Sequence, residues 1–436
     1  MSVSITLSDN SGTFGGYRLT EGKETFRSNT GLIHDDFEVK FSSTNRDGDT
    51  VGQYAYPPST TAMRLKRYLP KGALNMGYVT SPVTLSASAW RAGVRTAVQN
   101  GLNVLFWFSV IIKEENGRPV IASNPEQPLP NIVDIVSLAA ELRALNLPVA
   151  HMVTFGGWGA AHPVTTFSAA QVWSAFKEWN AGIARAGLPG GFVGLDWDLE
   201  GADALTSSLN RVTPAELDLM GQVSQLAQRE GYNVSLVPAE SYLDPSTSLF
   251  DGSLSHEYPE WDRLVKFPYH GHNAYAYLVA RYGNTYVPET RQVVDTFDFI
   301  TIQLYEGYSH MAYAVNQAGV SPVDYLTAWV KQLATGWFVD FASAPEFNLP
   351  SQFVAVRPEC LCIGLANGWA DNKKTILVKP ADAGRAYAVL AKMGLAPRGF
   401  AFWNVEYEGS IPPGERDPLF LAAGLNKFLR IRGLNG

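Results

Sequence analysis

From about residue 72 to the C-terminus, short apolar runs alternate with stretches whose apolar residues recur at helical spacing, the signature of repeated βα units. Strands are predicted at 75–80, 104–111, 149–155, 192–200, 234–237, 299–304, 361–365 and 399–403. Helical patterns fill the intervals at 86–100, 131–145, 168–186, 213–230, 274–282, 322–335 and 381–393, and a last one follows at 418–430. Several helices carry explicit starts. Thr213-Pro214-Ala215-Glu216 joins an N-cap hydroxyl, a first-turn proline and a capping-box glutamate, and Ser321-Pro322 repeats the first two. Eight strands each followed by a helix specify an α/β fold of the closed (β/α)8 TIM-barrel type, over residues 71–436. An open dinucleotide fold is disfavoured, because Met76-Gly77-Tyr78-Val79-Thr80-Ser81-Pro82 after the first apolar run has no phosphate-binding glycine fingerprint.

Residues 1–70 have another texture. Gly, Ser, Thr, Asn and Asp are frequent, segments 4–7 and 37–41 alternate like short strands, and polar clusters at 10–12 and 45–48 look like hairpin turns. A small β-rich N-terminal extension or minidomain is expected, packed on the barrel rather than serving as a carbohydrate-binding module.

Composition narrows the partners. The 436 residues are 46% hydrophobic and 17% charged, enough for a large core, and the net charge of -7 gives no reason to expect nucleic acid or an anionic membrane surface. No apolar stretch approaches the roughly 20 residues of a membrane-spanning helix. Residues 1–10 lack the basic-then-apolar pattern of a secretory leader, so none is expected there. The two cysteines, Cys360 and Cys362, sit one residue apart, too far along a strand for an unstrained bridge, and both are expected to be buried thiols. His151 and His162 are too scattered for a metal site, and no cofactor is expected. A monomer is expected.

The chemistry concentrates at Phe192-Val193-Gly194-Leu195-Asp196-Trp197-Asp198-Leu199-Glu200. Side chains alternate across a strand, so Asp196, Asp198 and Glu200 share one face while Leu195, Trp197 and Leu199 occupy the other, as in a strand inside a protein. Like charges at that spacing cannot all ionise in a low-dielectric site. At least one proton is shared and one carboxyl pKa raised, the state a general acid needs near neutral pH. In a (β/α)8 barrel, strand C-termini carry the active site, which puts Glu200 nearest a substrate.

These residues resemble the signature of the family 18 glycoside hydrolases, which include chitinases and endo-β-N-acetylglucosaminidases. Their DxxDxDxE pattern closes strand four, and Asp196, Asp198 and Glu200 match its last three acids, whereas Val193 stands in place of the first. Thr154-Phe155-Gly156-Gly157-Trp158 is similar to the family's SxGG segment, Gln303-Leu304-Tyr305-Glu306 to its strand-six segment, and Phe402-Trp403-Asn404 to its strand-eight end. The resemblance implies substrate-assisted retention, an exception to the scheme in which a protein carboxylate is the nucleophile. Glu200 would be the acid and base, Asp198 would orient the substrate's acetamido group while sharing a proton with Asp196, Tyr305 would contact the acetamido oxygen, and Trp403 would floor the sugar subsite. Gln303, Gly156, Gly157 and Trp158 follow as substrate-binding candidates. Tyr78 either lines the cleft or packs, Trp107 and Trp369 are placed at the cleft by strand-end position alone, and Glu240 and Glu306 are subsite candidates.

Only about thirty residues separate strands seven and eight, without the large insertion of the family's deep-grooved members, so an open cleft and endo-cleavage are expected. The 241–290 segment is long and aromatic, with Tyr258-Pro259-Glu260-Trp261 and Phe267-Pro268-Tyr269-His270 as candidate cleft loops. The implied substrate is chitin or an N-acetylglucosamine oligosaccharide. The alternatives are an endo-β-N-acetylglucosaminidase acting on N-glycan cores and a non-catalytic chitin-binding lectin.

Overall fold

A computed structural model describes residues 66–82, 85–204, 206–254, 271–306, 309–373 and 375–431, together with the backbone of short strands between residues 2 and 55. The eight apolar runs form eight parallel strands: β1 Leu74–Val79, β2 Val104–Glu115, β3 Ala150–Gly157, β4 Gly194–Leu199, β5 Asn233–Leu236, β6 Phe299–Gln303, β7 Leu361–Ala366 and β8 Gly399–Trp403. Each pairs in parallel with the next, and β8 pairs with β1 (Gly399 opposite Leu74), so the sheet closes into the expected (β/α)8 barrel. The outer ring comprises α1 Ala87–Gln99, α2 Ile132–Ala144, α3 Ala169–Ala186, α4 Pro214–Arg229, α5 Ala276–Tyr282, α6 Pro322–Thr335, α7 Pro380–Lys392 and α8 Leu421–Leu429.

Caps explain several starts. Thr213 and Glu216 form the expected reciprocal box at α4, Ser168 and Gln171 form another at α3, and Ser321 caps α6 ahead of Pro322. Alternation then sorts the strand residues. One face packs outward against the helices, where Trp197 donates its Nε1–H to Ser224 Oγ of α4 at 2.9 Å. The other faces the axis, where Leu74, Met76, Phe106, Met152, Phe299, Cys362 and Ala401 fill the lower barrel. Each fully buried Leu, Met or Phe among them contributes about 1.5–3 kcal/mol through removal from water.

Differences from expectation have local causes. β2 does not stop at 111: it runs to Glu115, turns at Asn116-Gly117, both with positive φ, and pairs antiparallel with Arg118–Ser123. Trp107 faces outward rather than into the cleft, fully buried, stacked on His151 and donating to its Nδ1 at 3.1 Å. Cys362 is buried in the barrel, but Cys360 is only half-buried, near Arg357 and Asp295, and both thiols are free. α7 and its loops alone span the β7–β8 interval. After β5 come a 3₁₀ turn at Glu240–Tyr242, α5 and a hairpin of Asn284–Val287 with Gln292–Asp295. The motifs at 258–261 and 267–270 lie outside the described residues, as do the turns at 10–12 and 45–48. In the N-terminal region, Ser2–Thr6, Val51–Ala55, Ile33–Ser42 and Lys23–Arg27 pair in that order as an antiparallel sheet. No helix among the described residues is long and apolar enough to cross a membrane.

Candidate active site

The column on β4 rises along the barrel axis from closed to open: Asp196 is 0% exposed, Asp198 4% and Glu200, the first residue past the strand, 8%. Register places a hydroxyl on each side of the deepest acid. Thr154 of β3 and Ser235 of β5 lie directly opposite Asp196, and they donate to its Oδ2 at 3.2 Å and Oδ1 at 2.5 Å. Tyr78 of β1 donates to Oδ2 from across the barrel at 3.1 Å. Burial pushes this carboxyl up to about 6, against the pull of those three donors.

The upper two acids form a pair. Burial first, and then the adjacent Glu200, hold Asp198 well above the usual carboxylate range, while burial raises Glu200 and its hydrogen bond with Asp198 draws it back. Two buried carboxyls side by side disfavour double ionisation, so the pair favours holding a proton. Asp196, below, takes its hydrogen bonds from the hydroxyls of Thr154, Ser235 and Tyr78. Gln303, at the end of β6, spans the pair: its Nε2 donates to Asp198 Oδ1 (3.1 Å), Glu200 Oε1 (2.9 Å) and Val237 O (2.8 Å). Its Oε1 accepts from the Tyr305 hydroxyl.

Above the pair opens a cavity of about 280 Å³, walled by Phe108, Trp158, Tyr305, Trp369 and Trp403 and edged by Gln127, Gln303, Glu306 and Thr375. Trp403 meets Phe108 edge-on at 4.6 Å, and Tyr305 meets Trp369 likewise at 5.8 Å. Trp369 is fixed by its Nε1–H to the Trp403 carbonyl at 2.5 Å. The arrangement places two adjacent buried carboxyls at the bottom of an aromatic-walled, acidic chamber, suited to flat, apolar-faced rings bearing hydrogen-bond donors.

The structure thus brings together Asp198, Glu200, Gln303, Tyr305, Trp158 and Trp403 at one cavity, with Asp196 beneath. Tyr78 does not line it; the ring stacks on Phe106 at 4.7 Å, 4% exposed, below the acids. Gly156 and Gly157 do not line it either. Both have positive φ, and a Cβ on Gly156 would lie 2.2 Å from the Asp198 carbonyl oxygen, so glycine there permits β3 to approach β4. Glu306 lines the cavity, with burial and then the Glu200 charge pushing its carboxyl well up, and its Oε2 is buried without a partner. Glu240 lies away from the cavity, accepting from the Tyr325 hydroxyl and Met311 N–H, and burial raises it to about 7. Phe108, Gln127, Thr375 and Ser235 were not anticipated. Phe108 and Ser235 could have been found from strand alternation, whereas Gln127 and Thr375 sit on loops without a motif. Among the described residues no group of His, Cys, Asp and Glu could hold a metal ion.

No protein-family model matches the chain, and no curated protein matches it. Solved structures similar to it include a family 18 chitinase from Pseudoalteromonas aurantia, 10% identical with a TM-score of 0.44, covering 83% of this chain and 100% of that one. A fungal endo-beta-N-acetylglucosaminidase of glycosyl hydrolase family 18 is 14% identical with a TM-score of 0.42, covering 82% and 96%. The spore cortex-lytic enzyme of Bacillus cereus is 12% identical with a TM-score of 0.41, covering 87% and 77%.

Proposed function

We propose that this protein is a retaining glycoside hydrolase that cleaves β-1,4 bonds of N-acetylglucosamine-containing glycans by substrate-assisted catalysis, in the manner of an endo-chitinase. The observation that carries this reading is the Asp198–Glu200 pair, two adjacent buried carboxyls held toward protonation at the floor of an aromatic-walled cavity. A sugar whose 2-acetamido N–H donates to Asp198 stabilises that carboxylate and leaves the proton of the pair on Glu200. Glu200 then protonates the glycosidic oxygen, while the acetamido carbonyl oxygen attacks the anomeric carbon and gives an oxazolinium ion. A water deprotonated by Glu200 opens this ion with net retention. Tyr305, whose hydroxyl donates to Gln303 in the free protein, turns to the acetamido oxygen once substrate arrives. Trp403 holds the apolar sugar face.

Incubation with chitin oligomers and with a high-mannose glycoprotein, with products identified by mass, separates chitinase from N-glycan endoglycosidase. Binding of chitin without cleavage of either substrate would establish a lectin instead. Glu200→Gln should lower turnover at least ~100-fold while keeping sugar affinity. Substantial residual hydrolysis by this variant refutes Glu200 as the acid.

A further inference from the structure

The end of β4 is where the acid must be fixed, and it is also where the sheet stops supporting it. The β3–β4 register ends at Gly157 opposite Leu199, and the β4–β5 register ends at Trp197 opposite Leu236, so the Glu200 main chain stands one residue past the ladder. Its carbonyl still needs a donor, since buried backbone groups are almost always paired. The loop after β3 supplies one: His162 Nε2 lies 3.2 Å from Glu200 O. A carbonyl only accepts, so Nε2 carries the proton. The other ring nitrogen, Nδ1, lies 3.2 Å from Glu216 Oε1 in the first turn of α4, and the imidazole is only 8% exposed.

Glu216 is itself anchored, because its Oε2 accepts Thr213 N–H at 2.6 Å and the Thr213 hydroxyl at 2.9 Å in the capping box. Although burial pushes the Glu216 carboxyl up, hydrogen bonds from His162 and Thr213 hold it below its ordinary range. Two neighbouring contacts hold the same loops together: Gly159 N–H to Gly201 O at 2.8 Å, and Trp158 Nε1–H to Asp203 Oδ1 at 2.9 Å. A chain of hydrogen bonds thus runs from the cap of α4 through Glu216 and His162 to the main chain of Glu200.

We propose that His162 is a positioning residue for Glu200, bracing the acid's backbone against the first turn of α4 so that its carboxyl meets the scissile oxygen. The role rests on the assignment of Glu200 as the acid. Displacing a reacting group by about 1 Å costs on the order of 100-fold in rate, so a lost brace is read in kcat rather than in binding.

The test compares two variants of similar size. His162→Met removes the donor and adapts to the space, whereas His162→Gln keeps an N–H near the Nε2 position. On chitin oligomers, His162→Met should lose about 10- to 100-fold in kcat with KM within about threefold of wild type, and His162→Gln should regain most of that loss. Equal kcat in the two variants overturns the proposal, whatever their melting temperatures. If His162→Met does not fold, nitrogen-15 NMR of the wild-type ring decides: a slowly exchanging Nε2–H coupled to the Glu200 carbonyl supports the brace, and an unprotonated Nε2 overturns it. Absence of any turnover by the wild type removes the hydrolase reading and this role together, whereas turnover indifferent to residue 162 removes this role alone.

Discussion

Gln303 has two amide hydrogens and three acceptors within 3.1 Å, so one N–H serves the Val237 carbonyl while the other is shared between Asp198 and Glu200. That shared donor stabilises the ionised pair, and its bond draws the raised Glu200 pKa downward. Gln303→Leu, close in volume but without a donor, should therefore hold the proton more tightly. The alkaline limb of kcat/KM, where the acid loses its proton, should move to higher pH, and turnover near pH 6 should fall about 10-fold as the pair loses its fixed geometry. A pH–rate profile checks both effects, and a limb moving to lower pH would contradict this role. The column itself was legible in the sequence because a strand's period of two needs no tertiary knowledge. Its supports were not: Tyr78, Thr154 and Ser235 come from three other strands, and only sheet register brings their hydroxyls to Asp196.

At the scale of elements, the strand and helix order was readable because each βα unit carries its own punctuation, and the caps at 213 and 321 fall where expected. The hairpin after β2 was also marked, by Asn116-Gly117 in the left-handed conformation of a two-residue turn, yet the apolar run to Ile112 obscured the strand's continuation. This hairpin leads into the segment where Asn124 and, through Ser109, β2 donate to the Gly156 carbonyl at 3.2 and 2.8 Å. The end of β3 is thereby fixed from one side, while Gly156 contacts the β4 backbone on the other. Gly156→Ala combines a φ of 105 with a Cβ 2.2 Å from Asp198 O, so β3 and β4 must separate at Asp198. A loss of at least about 2 kcal/mol is expected, with a fall in kcat. Gly159→Ala, at positive φ but with nothing within 4 Å, should cost only about 1 kcal/mol and leave kcat unchanged. Urea denaturation with steady-state kinetics on both variants separates a close backbone approach from a simple conformational preference.

Across the whole molecule the barrel axis is graded: apolar at the base, hydroxyl-lined around Asp196, and acidic and aromatic at the mouth. Val193 belongs to the base. It sits ahead of β4, half-buried, packed with Leu69 against the lower barrel cluster, while its main chain bonds to His151 O and accepts from Asn233 N–H. The signature that this chain resembles has an acid at this position; here the Asp198–Glu200 pair lies higher on the axis, and Asp196 already has three hydroxyl donors. Val193→Asp should therefore not improve turnover. Although Arg143 and His151 line the same recess, the lower-barrel cluster on which Val193 packs is apolar, so the pKa of an added carboxyl in the folded protein should rise above the unfolded value. The sign follows from proton linkage. Below the unfolded pKa both states hold the proton and the penalty is limited to lost packing, whereas through the raised folded pKa the folded state retains a proton that the unfolded state has released, and stability falls as pH increases. Urea denaturation at pH 4 and pH 8 should show a deficit of about 1 kcal/mol growing to roughly 2–3 kcal/mol, with kcat per folded molecule unchanged at both. A gain in kcat would mean that the base of the barrel communicates electrostatically with Glu200, and that the catalytic column begins at residue 193 rather than at Asp196.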